Sequence, residues 1–234
     1  MAAPAPGSQT LSRGIRLLEL IAASERDPTI DELAARLDVH RSVAYRLLRT
    51  LEDHGLVSRD ESGRVALAAG LAALAAGVSR DLRQAALPDL EAVADELGMT
   101  CLLAIQLDRD EAVTLLSASP RQTIAVVSYR PGHRHPITRG GPGKAILLSI
   151  PEESWPADVD DRLRTEIAES RARGYAVSHD EVVSSLHSVA VPLTVPGQPP
   201  AAIAVIHVSL PRDASAIAAR LQSAAANVVR RYGA

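Results

Sequence analysis

The chain has 234 residues, enough for two domains of ordinary size, and its hydrophobic fraction of 47% allows each of them a packed core. Its formal net charge of −3 excludes strong nonspecific attraction of the whole molecule to nucleic acid. Aromatic residues make up only 2% of the chain, so aromatic stacking is excluded as the main means of binding a ligand. One cysteine, Cys101, excludes an internal disulfide and a four-cysteine metal site.

The first residues are expected to form a disordered tail over positions 1–10. They contain neither a basic segment nor an apolar core and therefore do not resemble a signal peptide. The most apolar window, 65–78, is too short to span a bilayer and contains two glycines. We therefore expect a cytoplasmic protein without a membrane partner.

The first predicted element is a helix over 11–23, with Ser12 as its candidate N-cap. After a polar loop, Thr29 and Glu32 have the spacing of a capping box, which predicts the start of a second helix. The apolar residues that follow recur at helical spacing along one face. This segment therefore begins a helix pair.

A short corner at 38–40 leads into a third helix over about 41–54, which Gly55 can end because glycine tolerates a positive φ. One face of this helix is apolar. The other face carries arginines and hydroxyl groups, from Arg41, Ser42, Tyr45, Arg46 and Arg49. Arg41 lies near the helix N-terminus, where a cation opposes the helix dipole, and an anionic partner such as a phosphate would remove that cost.

Two short strands, 56–59 and 64–67, follow and are joined by a polar turn with a glycine where a tight hairpin needs one. Helices and hairpin together predict a winged helix-turn-helix over 11–68, whose third helix would enter the major groove of double-stranded DNA. Arg64 on the wing is the candidate contact with the DNA backbone. A merely solvated arginine face is the alternative, since acidic and basic residues nearly balance within this domain.

A linker helix is predicted over 69–80, in an Ala- and Leu-rich segment. Its larger apolar residues recur at spacings of four, three and four, at Leu67, Leu71, Leu74 and Val78. Such a stripe suits either a partner helix across a dimer interface or the core of the domain itself.

The rest of the chain, 81–234, mixes helices with strands. The helices are predicted over 82–97, 144–150, 162–173 and 214–232, and the strands over 101–107, 112–118, 124–129, 189–195 and 201–208. This mixture indicates an α+β domain in which helices cover an antiparallel sheet.

Six segments in order along both domains resemble the IclR-type family of transcriptional regulators: 12–21, 29–34, 41–51, 140–145, 173–176 and 201–205. The resemblance implies a winged helix-turn-helix followed by a GAF-like effector-binding domain. It also implies a homodimer or homotetramer that binds operator DNA, responds to a small metabolite such as an organic or aromatic acid, and either represses or activates transcription.

The Gly-Gly-Pro-Gly turn at 140–143 is expected to lead into a helix at Lys144. Such a turn exposes backbone N–H groups at a helix N-terminus, which favours a carboxylate ligand. A purely structural glycine-rich loop is the alternative. It is not a phosphate-binding Walker A loop, because Thr138 and Ala145 replace residues that this motif requires, and no cofactor is expected.

By position, the resemblance assigns seven residues to the effector pocket: Gly141, Pro142, Gly143, Ser178, Ser188, Ala204 and Ile206. The chain departs from sensors of small carboxylates at Ser178, where an acid is absent, and at Ala204 and Ile206, where hydroxyl groups often occur. We therefore expect a less polar pocket and a bulkier, partly apolar ligand with one anionic end.

Two other functions compete with a ligand-responsive regulator. A metal-dependent hydrolase could use Asp180 and Glu181 with the histidines of the second half, which are His133, His135, His179, His187 and His207. The sequence shows no metal-spaced cluster and no nucleophile elbow, so neither a metal nor an enzyme is expected. A protein-interaction module, in which the helix pair binds a partner protein, is the third possibility.

Overall fold

The computed structural model describes residues 7–121, 129–210 and 213–233. The chain divides into two compact units, Met1–Val78 and Ser79–Ala234. No helix in the described part of the chain is both long enough and apolar enough to cross a membrane.

The first unit is a winged helix-turn-helix. Its elements are α1 (Gln9–Ala22), α2 (Ile30–Arg36), α3 (Arg41–Asp53), β1 (Val57–Arg59), β2 (Val65–Leu67) and α4 (Ala69–Ala75). Helices α1 to α3 and the hairpin share one apolar core, in which Leu17, Leu33, Leu48 and Val65 are fully buried. This core holds α3 with its opposite face towards solvent.

Two helix starts in this unit show how local chemistry sets boundaries. The capping box is present, since the Thr29 hydroxyl accepts from the Glu32 N–H at 3.3 Å and the Glu32 carboxylate accepts from the Thr29 N–H at 2.8 Å. The helix predicted over 11–23 is present as α1, but its predicted N-cap was wrong, because Ser8 rather than Ser12 is the N-cap and accepts from the Leu11 N–H. The helix therefore includes Gln9, which lies within the expected tail.

The predicted linker helix is shorter than expected. It ends at Ala75 and its side chains are not buried. Leu67 belongs to β2, and Ser79 takes a positive φ of 44° just before the next helix. A non-glycine residue with this backbone conformation ends the helical path, which is why the helix does not reach residue 80.

The second unit confirms the α+β class. Its helices are α5 (Arg80–Leu97), α6 (Gly140–Ser149), α7 (Asp161–Arg173) and α8 (Ala214–Tyr232), with a short 3-10 turn at Glu152–Ser154. The described strands form one antiparallel sheet in the order β5-β4-β3-β8-β7-β6. Their bounds are β3 (Thr100–Gln106), β4 (Glu111–Ala118), β5 (Arg134–Pro136), β6 (Ala176–His179), β7 (His187–Leu193) and β8 (Ala201–His207).

Each face of the sheet packs against different helices. Residues alternate along β8, so that Val205 joins a core with α5 and α8, whereas its neighbour Ala204 joins a core with α6. Cys101 lies in the first of these cores, and its burial raises the pKa of the thiol well above the usual range. The sheet thus separates α5 and α8 from α6, and the candidate site lies on the α6 side.

The structure of this unit differs from the sequence predictions at two points, and one predicted strand lies mostly outside the described residues. β5 and β6 were missed, because each has only three or four residues. The helix predicted from Lys144 begins four residues earlier, at Gly140. Most of the strand predicted over 124–129 lies outside the described residues, and Tyr129 itself is not in a strand.

Candidate functional site

The outward face of α3 carries the side chains that the sequence singled out. Ala44, Leu47 and Leu48 are buried. The predicted contact residues Arg41, Ser42, Tyr45, Arg46 and Arg49 are all exposed. A surface groove of about 730 Å³ runs along the first turns of α3 and is lined by Ile30, His40, Arg41, Ser42, Tyr45, Arg46 and Arg59.

The arginines of α3 differ in their partners. Arg41 pairs with Asp31 in the first turn of α2, with its Nε 2.6 Å from the carboxylate, so the protein itself supplies the anion that the sequence suggested a phosphate would provide. Arg49 pairs with Asp53 at 3.4 Å, and hydrogen bonds to Tyr45 and Asp53 raise its pKa. Arg46 has no ion pair with any described residue. Exposed pairs of this kind are weak, so these guanidinium groups remain available to an anionic partner.

Arg59 on β1 belongs to this surface although sequence reasoning missed it. Its guanidinium carbon lies 5.5 Å from the centre of the Tyr45 ring, and it pairs with Glu52 at 2.9 Å. Its position on the first predicted strand of the wing, 56–59, is the feature of the sequence that could have identified it as part of this surface. Arg59 therefore holds Tyr45 against the wing.

Arg64 does not project from the wing as a free cation. Its Nη1 donates to the backbone carbonyl of Asp27 at 2.8 Å. Its backbone forms an isolated bridge with Thr29, and its N–H donates to the Asp60 carboxylate. Arg64 thus fastens the wing to the loop before α2, and only part of its surface is accessible.

In the second unit, the first turn of α6 is bound by the protein's own side chains. The Gly140 N–H donates to the Glu181 carboxylate at 2.8 Å, and the Gly141 N–H donates to the Ser178 hydroxyl at 2.9 Å. The expectation that these N–H groups would be left exposed was therefore wrong. The site does hold a carboxylate, but the carboxylate is that of Glu181.

The glycines of this turn are required by close approaches. Gly140 has a φ of 76°, which favours glycine. A Cβ on Gly141 would lie 2.5 Å from the Ser188 Oγ, and one on Gly143 would lie 2.7 Å from the Ile137 carbonyl oxygen. Pro142 is tolerated because a helix leaves the N–H groups of its first turn without helical partners.

Lys144 supplies a buried charge behind this turn. Only 3% of its side chain is exposed, and its Nζ lies 2.5 Å from carboxylate oxygens of both Glu166 and Glu181. A buried ammonium group is stable only when it is paired and hydrogen-bonded. Glu181 therefore connects the helix N-terminus to the buried lysine.

A small cavity of about 30 Å³, room for about one or two water molecules, lies beside the turn. Its described lining consists of Tyr129, His135, Gly140, Gly141, Pro142, Ser178, Glu181, Val182, Val183, Leu186, Ser188 and Ile206. Five of the seven residues assigned to the effector pocket are thus brought together. Gly143 and Ala204 are not part of the lining: Gly143 packs against the backbone of Ile137, and Ala204 lies in the core opposite Ala190.

The cavity wall contains two buried polar side chains without hydrogen-bond partners among the described residues. His135 is 2% exposed with both ring nitrogens unpaired, and Ser188 is 5% exposed with its hydroxyl unpaired. Burial, and secondarily His133, lowers the pKa of His135 to about 4, so the ring is neutral near pH 7. Burial also raises the pKa of Tyr129 to about 12. Buried polar groups are usually hydrogen-bonded, so this pair points to a missing partner.

The histidines do not form a metal site in the observed side-chain positions. His179 and His187 are cross-strand partners whose rings stack at 3.9 Å. Over the described ranges, no three His, Cys, Asp or Glu side chains lie close enough together to hold a metal ion. His135 belongs instead to the cavity described above.

A winged helix-turn-helix with an arginine-bearing helix, joined to an α+β domain, defines a transcriptional regulator. A family model of the IclR helix-turn-helix domain matches residues 10–61, and a model described as bacterial transcriptional regulator IclR C-terminal matches residues 74–230. Together these matches cover most of the chain. The chain belongs to the IclR family of DNA-binding transcriptional regulators.

Individual relatives agree with this assignment. The chain is 28% identical to the transcriptional repressor IclR of Escherichia coli K12 over 207 residues, which covers 80% of this chain and 76% of the relative. It is 29% identical to the regulator BhcR of Paracoccus denitrificans over 210 residues, covering 80% and 72%.

Solved structures show the same fold. An IclR transcriptional regulator from Alicyclobacillus acidocaldarius matches with a TM-score of 0.85 and 26% identity, over 97% of this chain and 100% of that one. An IclR homologue from Microbacterium hydrocarbonoxydans, solved with 4-hydroxybenzoate, matches with a TM-score of 0.80 and 24% identity, over 96% and 99%.

Proposed function

We propose that this protein is an effector-controlled transcriptional regulator that binds operator DNA as a homodimer or homotetramer and responds to an organic acid. The observation that carries the effector half is the cavity at the α6 N-terminus, where the buried side chains of His135 and Ser188 have no hydrogen-bond partner among the described residues. The DNA-binding half rests on the exposed arginine face of α3.

On the DNA side, α3 would lie in the major groove. Arg46 is the candidate for a contact with a base edge because no described side chain pairs with it. Arg41 and Arg49 would exchange their exposed carboxylate partners for phosphates, with Ser42 and Tyr45 between them. Arg64 would act mainly by fixing the wing, since its guanidinium is bound to the Asp27 carbonyl.

On the effector side, the cavity combines three kinds of surface. The first is the N-terminal turn of α6, where the Glu181 carboxylate accepts from the Gly140 N–H and also contacts Lys144, which lies behind the cavity wall; this is a position suited to an anion. The second is polar and uncharged near pH 7, from His135 and Ser188, and suits a hydroxyl or amide group. The rest is apolar, from Pro142, Val182, Val183, Leu186 and Ile206.

These features favour an acid with a partly apolar body and a second polar group. The class includes hydroxylated aromatic acids, of which 4-hydroxybenzoate is the example bound by the Microbacterium hydrocarbonoxydans homologue. Since the cavity of about 30 Å³ is far smaller than such a molecule, its wall must open when the effector enters.

A thermal-shift screen of the purified protein against aliphatic, aromatic and hydroxylated acids tests the effector class. A ligand at 100 times its dissociation constant should add about 2.7 kcal/mol to the free energy of unfolding. The same ligand should change the affinity for DNA fragments selected from the genome by the protein. A best ligand of two or three carbons contradicts the proposed class, and the absence of stabilisation by every acid contradicts the effector function.

A further inference from the structure

The anion position at the α6 N-terminus is occupied by a residue of the same unit. One oxygen of the Glu181 carboxylate accepts from the Gly140 N–H at 2.8 Å, and the other lies 2.5 Å from the Lys144 Nζ. A helix N-terminus and a buried cation are also the two groups that favour binding of a ligand carboxylate. Glu181 thus imitates a bound acid.

The segment that carries Glu181 also closes the cavity. We call residues 180–186, which connect β6 to β7, the cover segment. Its Glu181, Val182, Val183 and Leu186 line the cavity, and a Cβ on Gly140 would lie 2.9 Å from the Val182 Cγ2. The carboxylate contact and this part of the cavity wall therefore belong to one segment.

The ends of the cover segment are held to each other rather than to the sheet interior. The Asp180 N–H donates to the Leu186 carbonyl at 3.1 Å, and the Asp180 carboxylate accepts from the Ser185 N–H. Asp180 and Ser185 both have positive φ values, of 60° and 64°, which are uncommon for residues other than glycine. The segment is thus a small closed loop fastened to α6 mainly through Glu181.

The local charges show that an acid cannot simply be added to this site. Lys144 already faces two carboxylates, from Glu166 and Glu181, in a place where only 3% of its side chain is exposed. A ligand carboxylate next to both would place three negative charges around one cation. If Glu181 leaves, the ligand restores the original balance, and Lys144 keeps Glu166 as a partner throughout.

We propose that Glu181 is an internal competitor of the effector, so that an acid binds only by displacing the Glu181 carboxylate and lifting the cover segment. This inference rests on the proposed function and adds the regulation of the same site. It also sets specificity: a small acid gains only what Glu181 already has, whereas an acid with an apolar body gains additional contacts with the opened wall. Glu181 therefore selects against small carboxylates.

Chemical rescue tests the anion position without assuming an effector. In Glu181→Ala, millimolar acetate should bind in place of the lost carboxylate, raise the melting temperature, and shift the Gly140 amide resonance. Glu166→Ala is the matched control, because it also removes a partner of Lys144 but leaves Gly140 bonded to Glu181. Acetate should change neither the control nor the wild type, and equal or absent rescue overturns the inference.

Competition is tested with 4-hydroxybenzoate as the probe. The variant is Glu181→Gln, which preserves the side-chain size and can therefore be used even if Glu181→Ala folds poorly. The probe should bind Glu181→Gln at least about ten-fold more tightly than wild type or Glu166→Gln, since a charge-assisted hydrogen bond no longer has to be broken. The neutral analogue 4-hydroxybenzamide, which lacks the carboxylate that would replace Glu181, should bind all three proteins more weakly than 4-hydroxybenzoate binds Glu181→Gln. Equal or weaker binding of 4-hydroxybenzoate by Glu181→Gln overturns the competition. If acetate rescues Glu181→Ala but not Glu166→Ala, and no acid in the thermal-shift screen stabilises the wild type, the result would instead contradict the proposed effector function.

Discussion

At the scale of single residues, Arg46 is distinguished from the other arginines of α3 by its lack of an ion pair within the described structure. Arg41 and Arg49 have carboxylate partners, at 2.6 and 3.4 Å, which DNA would have to replace. An arginine without a partner can donate two hydrogen bonds to a guanine at no such cost. We therefore expect sequence discrimination to depend on Arg46 more than on its neighbours.

Replacing Arg46 with Ala should weaken operator binding by about 1–3 kcal/mol and relax discrimination at one base pair. Fluorescence anisotropy with the operator and with single-base variants measures both effects. Arg16→Ala is the control, because it removes another exposed arginine, from α1, where Arg16 pairs with Glu19. A uniform loss across all sequences, with a salt slope smaller by about 1, would identify Arg46 as a phosphate contact instead.

His135 gives the protein a predictable response to acid. Its pKa is lowered from about 6.5 to about 4 in the folded protein, so between these pH values the unfolded chain binds a proton that the folded protein does not. The free energy of unfolding should therefore fall as pH drops from about 6.5 towards 4, by up to about 1.4 kcal/mol per pH unit from this residue.

Urea unfolding of His135→Gln between pH 4.5 and 7.5 measures that contribution. The variant should lose less stability than wild type on acidification, and His54→Gln, which replaces an exposed histidine, is the control for the loss of a histidine outside the cavity. Parallel profiles for His135→Gln and wild type would contradict a neutral buried His135.

At the scale of elements, two glycines that both lie within helices differ in the space around their Cα atoms. Gly143 lies in α6, where a Cβ would meet the Ile137 carbonyl oxygen at 2.7 Å, and this backbone atom cannot rotate away. Gly14 lies in α1, where a Cβ would meet no heavy atom within 4 Å. The same substitution should therefore have opposite signs in the two helices.

Gly143→Ala should lower the free energy of unfolding by about 1–3 kcal/mol, through overpacking and a shift of α6. Gly14→Ala should raise it by about 0.5–1 kcal/mol, because alanine loses less conformational entropy in a helix. Chemical denaturation of both variants provides the comparison. Stabilisation by Gly143→Ala would mean that α6 can move away from the segment before it at little cost.

The sequence predicts an element well when the apolar residues of that element recur over several repeats. α8 occupies the predicted 214–232, since nineteen residues provide several repeats of an apolar stripe. β5 and β6 were missed because three or four residues contain no repeat to recognise. The family resemblance supplied five of the cavity residues by position, whereas Glu181 was considered only as a metal ligand. It lies 41 residues after Gly140, and only the folded sheet brings the two together.

At the scale of the whole molecule, the first unit has one apolar core and the second has one on each face of its sheet, and the chain passes from the first unit to the second just after α4. An effector in the second unit can regulate DNA binding only if it has different affinities for two states of the protein. The coupling must then be reciprocal: the factor by which the effector changes operator affinity equals the factor by which the operator changes effector affinity.

Inserting Gly-Ser-Gly after Gly77 should test whether this connection carries the coupling. Since Gly77 and Ser79 lie outside the apolar cores of both units, effector affinity without DNA should be unchanged. The coupling factor, typically about 5–150-fold, should fall towards one. Calorimetry of effector binding with and without operator gives one measurement of the coupling factor. Anisotropy of operator binding with and without effector gives a second, independent measurement. Unequal factors would show that a second binding event has been missed, and an undiminished factor in the insertion variant would mean that the coupling passes through contacts other than the segment after α4.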